Sequence, residues 1–355
     1  MTVRLRPALD AVAEYVPGRT VPGAIKLASN EMPYPPLPSV LASIADAARS
    51  ISRYPDSTSS TLGCAVASRY GVDPTHVVIG CGSVSLCAQL IQAVVDTGDE
   101  VLYAWRSFEA YPIFAALNGA LSVRVPLLGY THDLDEMASR VTAKTRLIFI
   151  CNPNNPTGTA VRSQALQTFL QAVPDHVVVV LDEAYREFVC DETVPDGLTF
   201  LDTIPNLVVL RTFSKAYGLA GLRVGYAITS DPTVAAAIRK TQIPFSVATV
   251  AQAAALASLE PVAQEELAIR VTLAVDERTR VRNALRSIGY EVPESHANFV
   301  WLPLGDTAVS WTDTCEAQGV IVRAFAGEGV RITMGTQAEN DRLLDAAGRA
   351  IYLLR

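Results

Sequence analysis

Five consecutive apolar residues, Val177-Val178-Val179-Val180-Leu181, carry no polar alternation. A strand with one face in water alternates, so a branched run of this kind fits a strand buried on both sides. That is the condition of a parallel sheet covered by helices on both faces. Similar runs recur at 77–80, 101–104, 121–127, 147–151, 207–211 and 224–228, with helix-like stretches at 84–96, 107–118, 133–141 and 163–173 between them. The alternation predicts an α/β fold, a large domain with a mostly parallel sheet. After about 231 the texture changes. Ala-rich helical stretches (233–240, 249–259, 262–287) precede short strands near 298–302, 320–323 and 329–333 and a last helix over 337–353. This reads as a smaller α+β domain. Residues 1–30, broken by Pro7, Pro17, Gly18, Pro22 and Gly23, read as an arm, followed by a helix near 39–51 and a polar turn at 53–60. The expected organisation is an N-terminal arm (1–30) joining the small domain, a large domain (31–240) and a small C-terminal domain (241–355).

Composition excludes several function classes. A formal net charge of -7 leaves no basic footprint for nucleic acid. The six cysteines form no CxxC pair, and reduced, buried thiols are expected. The four histidines show no metal-ligand spacing, so no metal is expected. The opening Met1-Thr2-Val3-Arg4-Leu5-Arg6-Pro7 lacks the apolar core of a signal peptide, and no apolar run approaches the ~20 residues that span a bilayer. A soluble cytoplasmic enzyme is the expectation.

The chemistry sits where three of the predicted strands end. The run 147–151 leads into Asn152-Pro153-Asn154-Asn155-Pro156-Thr157-Gly158, the run 177–181 into Asp182-Glu183-Ala184-Tyr185, and 207–211 into Thr212-Phe213-Ser214-Lys215, with Arg223 eight residues on. An amide, a carboxylate and a lysine at one sheet edge form the set that pyridoxal phosphate needs. It requires an amine for the aldehyde, an acid for the ring nitrogen, donors for the ring oxygen, and cation and hydroxyls for the phosphate. Lys215 supplies the amine, Asp182 the acid, Tyr185 and Asn155 the donors, and Thr212, Ser214 and Arg223 the phosphate contacts. Arg suits an anion because its planar fork donates two bonds at once.

Plainer readings stand beside these. Taken singly, Lys215 reads as a surface lysine, Asp182 as a turn cap, Tyr185 as a packing residue and Asn155 as part of a turn. Gly80-Cys81-Gly82-Ser83-Val84-Ser85 opens a helix after the strand 77–80 and resembles a dinucleotide fingerprint. The third glycine is replaced by Ser85, however, and no acidic residue closes the next strand. The same turn makes an anion site from the backbone amides of Ser83 and Val84. Phe108 reads either as an aromatic lid on a cofactor ring or as a core residue. Arg331, in Gly329-Val330-Arg331-Ile332-Thr333, must find an anion, either a substrate carboxylate or a structural partner.

With these motifs in place, the chain resembles the fold-type I pyridoxal-phosphate aminotransferases along nearly its whole length, in particular the histidinol-phosphate aminotransferase subfamily. Tyr15-Val16-Pro17-Gly18, Leu27-Ala28-Ser29-Asn30-Glu31, Arg53-Tyr54-Pro55-Asp56, the Asn-Pro-Thr-Gly turn, the lysine loop and Val330-Arg331-Ile332-Thr333 carry the resemblance. Within the subfamily it is most similar to the actinobacterial aromatic amino acid (phenylalanine) aminotransferases, which share Gly80-Cys81-Gly82-Ser83-Val84-Ser85-Leu86-Cys87 and Trp105-Arg106-Ser107-Phe108-Glu109. The resemblance implies ping-pong transamination through a Lys215 Schiff base, with Asp182 on the ring nitrogen and Tyr185 and Asn155 on the ring oxygen. It implies Arg331 on the substrate α-carboxylate, and Arg323, Tyr15 and Asn30 as further substrate contacts. It also implies a homodimer in which Tyr54 crosses to the partner's cofactor phosphate. Val84-Ser85 and Phe108 depart from the wider subfamily, which has an acidic pair and a tyrosine there, and favour the aromatic branch. Histidinol phosphate remains the alternative substrate. A decarboxylase, a lyase or a cofactor-binding protein with the same group would show the same constellation. Tyr15, Phe108, Phe245 and Phe325 are available as apolar walls.

Overall fold

A computed structural model describes residues 3, 5, 6, 9, 12 and 18–354. The strands are β1 (Ile25–Lys26), β2 (Val77–Gly80), β3 (Glu100–Trp105), β4 (Leu121–Leu128), β5 (Thr131–His132), β6 (Thr145–Cys151), β7 (Val178–Asp182), β8 (Leu207–Thr212), β9 (Gly225–Thr229), β10 (Phe299–Gly305), β11 (Val320–Ile321), β12 (Arg323–Phe325) and β13 (Glu328–Thr333). The helices are α1 (Pro38–Ala47), α2 (Ser60–Tyr70), α3 (Gly82–Val94), α4 (Ala110–Leu117), α5 (Leu134–Ser139), α6 (Ser163–Ala172), α7 (Pro232–Thr241), α8 (Thr249–Leu259), α9 (Pro261–Ser287), α10 (Ala308–Glu316) and α11 (Gln337–Ala350).

Among the described residues, eight strands form one sheet in the order β2-β9-β8-β7-β6-β3-β4-β5. The central strands β8, β7, β6, β3 and β4 run parallel, whereas β9 runs antiparallel to both β8 and β2. Successive residues of each central strand enter opposite cores, as a period of two requires. Leu147, Phe149, Val180, Val208 and Leu210 pack beneath α3, α4 and α7. Ile148, Ile150, Val179, Leu181, Leu207 and Val209 pack beneath α5 and α6. The run at 177–181 is therefore buried on both sides, as its sequence predicts. Sequence reading misses α10, the two-residue strands β1 and β5, and the helix α2. Its small and polar residues give little apolar period, and it is launched by Asp56, whose carboxylate accepts from the Ser60 amide at 2.6 Å and the Thr58 amide at 3.0 Å.

A second core gathers Leu27, Val281, Leu285, Trp311, Val330, Ile332 and Leu343 around the antiparallel sheet β10-β13-β12. The short strand β1 pairs in parallel with β11 and ties residues 25–26 to this unit. The N-terminal half of α9 (Ala263, Leu267, Ala274) packs instead with α1, α2 and α8. Of the thiols, Cys87, Cys151 and Cys315 are buried, but Cys64 and Cys190 are exposed, which corrects the expectation of buried cysteines. No helix among the described residues is long and apolar enough to cross a membrane.

This topology builds one functional edge. The carboxyl ends of β2, β3, β6, β7 and β8 lie together, the edge where open α/β sheets bind ligands. Because β9 is reversed, its first residues and the preceding Arg223 reach the same edge.

Candidate active site

The loops leaving that edge, with residues from β12, β13 and the segment 28–30, enclose a cavity of about 850 Å³ of space open to solvent. It gathers Asn30, Ser83, Val84, Phe108, Asn155, Asp182, Tyr185, Thr212, Ser214, Lys215, Arg223, Arg323 and Arg331. Two expected site residues are not among these. Tyr15 lies outside the described residues. Tyr54 is 81% exposed and stacks on Phe245 with ring centroids 4.6 Å apart, so it does not line this cavity. Phe245 is thereby removed from the expected pocket wall. Phe325 is buried, beside Arg323 and Arg331 with each guanidinium 5.8 Å from its ring centroid.

Lys215 reaches across from the β8 loop and donates from Nζ to the Ser29 carbonyl at 3.3 Å. Burial, then the charge of Arg331, pulls its amine down to about 8, against the weaker opposing influence of Glu31. Asp182 ends β7 and is buried. Desolvation raises its pKa, while the Tyr111 hydroxyl, the Ala184 amide and the charge of Lys215 act against that rise. The Tyr111 bond is short, 2.7 Å to Oδ2, and the Tyr111 ring stacks on Phe149 at 4.3 Å and meets Phe108 edge-on at 5.5 Å.

Tyr185 accepts a hydrogen bond from Asn30 Nδ2 at 2.8 Å. Its own proton is therefore left to donate into the cavity. Asn30 is fixed for this task in a left-handed conformation, φ 56°. Its backbone amide donates to the Thr333 hydroxyl at 2.9 Å, its side-chain oxygen accepts from that hydroxyl at 3.0 Å, and its backbone carbonyl accepts from Asn298 at 3.2 Å. Asn155 is oriented in a similar way: Arg331 can only donate, so its 2.6 Å contact must fall on the Asn155 amide oxygen, which leaves the amide nitrogen as the donor. Arg331 also donates to the Ala28 carbonyl at 2.7 Å.

At the far end of the edge, α3 begins at Gly82 (φ 74°), where an added Cβ would collide with the Arg223 guanidinium. A Cβ on Gly225 would come within 2.5 Å of the Ser83 amide nitrogen. Backbone and guanidinium are thus brought as close as glycine allows. Arg223 donates to the Ser214 hydroxyl at 3.2 Å and itself adopts φ 56°. Strain of that kind, on the order of 1 kcal/mol, gathers at ligand clamps. Unsatisfied amides at a helix start, a guanidinium and two hydroxyls make an anion cradle.

Sequence reasoning missed Tyr111 and Glu109. Tyr111 stands three residues after Phe108, in the first turn of α4, and its backbone amide donates to the Phe108 carbonyl at 3.2 Å. Glu109 lines the cavity and accepts from Arg323 at 3.3 Å.

An edge that offers an amine, a buried carboxylate, two oriented hydrogen-bond donors and an anion cradle fits pyridoxal phosphate and belongs to a recognised class. The profile of the family described as aminotransferase class I and II matches residues 22–346, and the chain belongs to that family. Among its relatives, the aromatic amino acid aminotransferase of Streptomyces coelicolor is 56% identical over 346 residues, 96% of each chain. That of Thermobifida fusca is 54% identical over 97% of this chain and 96% of its own. Among solved structures, histidinol-phosphate aminotransferase from Sinorhizobium meliloti, in complex with pyridoxal-5'-phosphate, superposes with a TM-score of 0.88 at 29% identity, covering 100% of this chain and 99% of its own.

Proposed function

We propose that this protein is a pyridoxal-phosphate-dependent aminotransferase acting on aromatic amino acids, phenylalanine and phenylpyruvate first, with 2-oxoglutarate as amino acceptor in a ping-pong cycle. The observation that carries the reading is the convergence of Lys215, Asp182, Asn155, Tyr185, Arg223 and Arg331 on one cavity. When bound, the cofactor supplies an aldehyde for the amine and a ring that withdraws electrons from the substrate Cα.

The chain's own residues do the rest. Lys215 holds the aldehyde end and afterwards takes and returns the Cα proton. A pKa of about 8 keeps part of the amine neutral near neutral pH, as a base requires. Asp182, which accepts from the Tyr111 hydroxyl and the Ala184 amide, would hold a proton on the ring nitrogen. Asn155 and Tyr185 donate to the ring oxygen. Ser83, Val84, Thr212, Ser214 and Arg223 would hold the phosphate, and Phe108 would pack against the ring. Arg331 binds the α-carboxylate, which argues for transfer over decarboxylation because the carboxylate stays paired. Asn30 contributes through Tyr185, and Arg323 faces the far end of the substrate.

The active unit is a homodimer, with Tyr54 contributed to the partner's phosphate site. Its exposure and its stack on Phe245 support this role, since an aromatic pair of that size in water invites a covering surface. The expected division at 240/241 moves into α9: α8 and the first half of α9 share a core with Tyr226 and Ile228 of β9, and Val281 and Leu285 enter the core of the small domain. A cytoplasmic location agrees with six free cysteines. A second reading, histidinol phosphate as substrate, rests on the likeness to the Sinorhizobium meliloti enzyme and on Arg323. Incubation of the holoenzyme with phenylalanine and 2-oxoglutarate tests the reading: glutamate is expected, and carbon dioxide in its place would refute it.

A further inference from the structure

We infer that Glu109 is a specificity-determining residue for the far end of the substrate. It holds Arg323 in an internal ion pair and so turns the pocket toward uncharged rings and away from substrates that end in a dianion. The inference rests on the aromatic aminotransferase reading above and deepens it.

Strand register creates the problem that Glu109 solves. Arg323 on β12 lies directly opposite Arg331 on β13. Side chains opposite one another on antiparallel strands share a face, and like charges there repel. Both arginines line the cavity. Arg331 reaches the neutral oxygens of Asn155 and Ala28. Arg323 pairs with the carboxylate of Glu109, which comes from the other side of the cavity, between β3 and α4, at 3.3 Å. The two side chains keep only 18% and 32% of their exposure, so the attraction is screened less than on an open surface. Glu109 makes no side-chain capping bond at the start of α4.

The paired guanidinium lies 5.8 Å from the Phe325 ring centroid, and Phe325 meets Trp301 edge-on at 5.5 Å. The distal wall is therefore a charge-balanced, planar group backed by aromatics. A ring packs against such a plane without having to displace anything. A phosphate must either pull Arg323 from Glu109 or sit beside a carboxylate of like sign. A single carboxylate, such as that of 2-oxoglutarate, carries less charge and is disfavoured less.

Calorimetric titration of the holoenzyme with 3-phenylpropionate and 3-phosphonopropionate tests this. Both acids offer a carboxylate to Arg331, and neither has an amine to react. In Glu109→Gln the phosphonate is expected to gain tenfold or more over the phenyl acid, about 1.4 kcal/mol. Glu109→Ala is expected to move the ratio the same way, and the gain should vanish in Glu109→Gln/Arg323→Gln. If folded Glu109→Gln and Glu109→Ala proteins both move the ratio by less than about threefold, the inference is overturned. Because neither acid is turned over, that failure is distinct from a failure of the substrate reading, which turnover of phenylalanine against histidinol phosphate decides.

Discussion

Arg331 donates to the amide oxygen of Asn155 at 2.6 Å, so the group proposed for the substrate carboxylate also orients the group proposed for the cofactor ring. Neither acts independently. Asn155→Ala and Arg331→Ala are each expected to lower kcat/KM by roughly ten- to a hundredfold, the range of hydrogen bonds to charged groups. The double variant is expected to fall short of the product of the two losses, with a coupling of about 1 kcal/mol or more. Strict additivity in a double-mutant cycle would show that the contact carries no functional coupling.

Tyr111 and Asp182 give a second expectation. The tyrosine hydroxyl favours the ionised carboxylate, so Tyr111→Phe lets burial raise the Asp182 pKa further. The acid limb of the kcat profile should then move to higher pH, with kcat lower by about tenfold, the loss of one hydrogen bond to a charged group. An unchanged pH profile would reduce Tyr111 to a packing residue.

Lys215 links the site to stability. Its folded pKa, about 8, lies below the 10.5 of the free side chain. Between these values the unfolded chain binds the extra proton, so the contribution of this group to stability rises with pH across that window and is smallest below it. In protein stripped of cofactor, Lys215→Met is expected to be more stable than the native chain below pH 8. That advantage should shrink steadily toward pH 10.5. Denaturant titrations across this range would show it, and a constant difference would contradict the assigned pKa.

The sheet edge was legible because its determinants are local. The buried runs at 147–151, 177–181 and 207–211 set parallel strands, and strand ends set where Asn155, Asp182 and Lys215 fall. What sequence could not show are contacts that depend on register and on side-chain direction. The pairing that brings Arg323 opposite Arg331, the reach of Glu109 across the cavity and the bond from Tyr111 to Asp182 all join residues whose local patterns carry no mark of one another. The motif gives Asn30 as a substrate contact; its hydrogen bond to Tyr185 is a further role that the motif does not reveal. Phe245 was available as a pocket wall and stacks on Tyr54 instead.

Tyr54 supplies a prediction about assembly. Light scattering is expected to find a dimer, and Tyr54→Phe is expected to weaken cofactor retention by roughly tenfold, the value of one hydrogen bond to a charged phosphate. An active monomer would remove the proposed role of Tyr54.

The central claim is the substrate class, and kcat/KM for phenylalanine and for histidinol phosphate on one preparation of holoenzyme tests it most directly. Phenylalanine is expected to be the better substrate by tenfold or more, because the pair Glu109–Arg323 leaves the distal pocket suited to a ring. A hundredfold preference for histidinol phosphate, about 2.7 kcal/mol of transition-state binding, would contradict it.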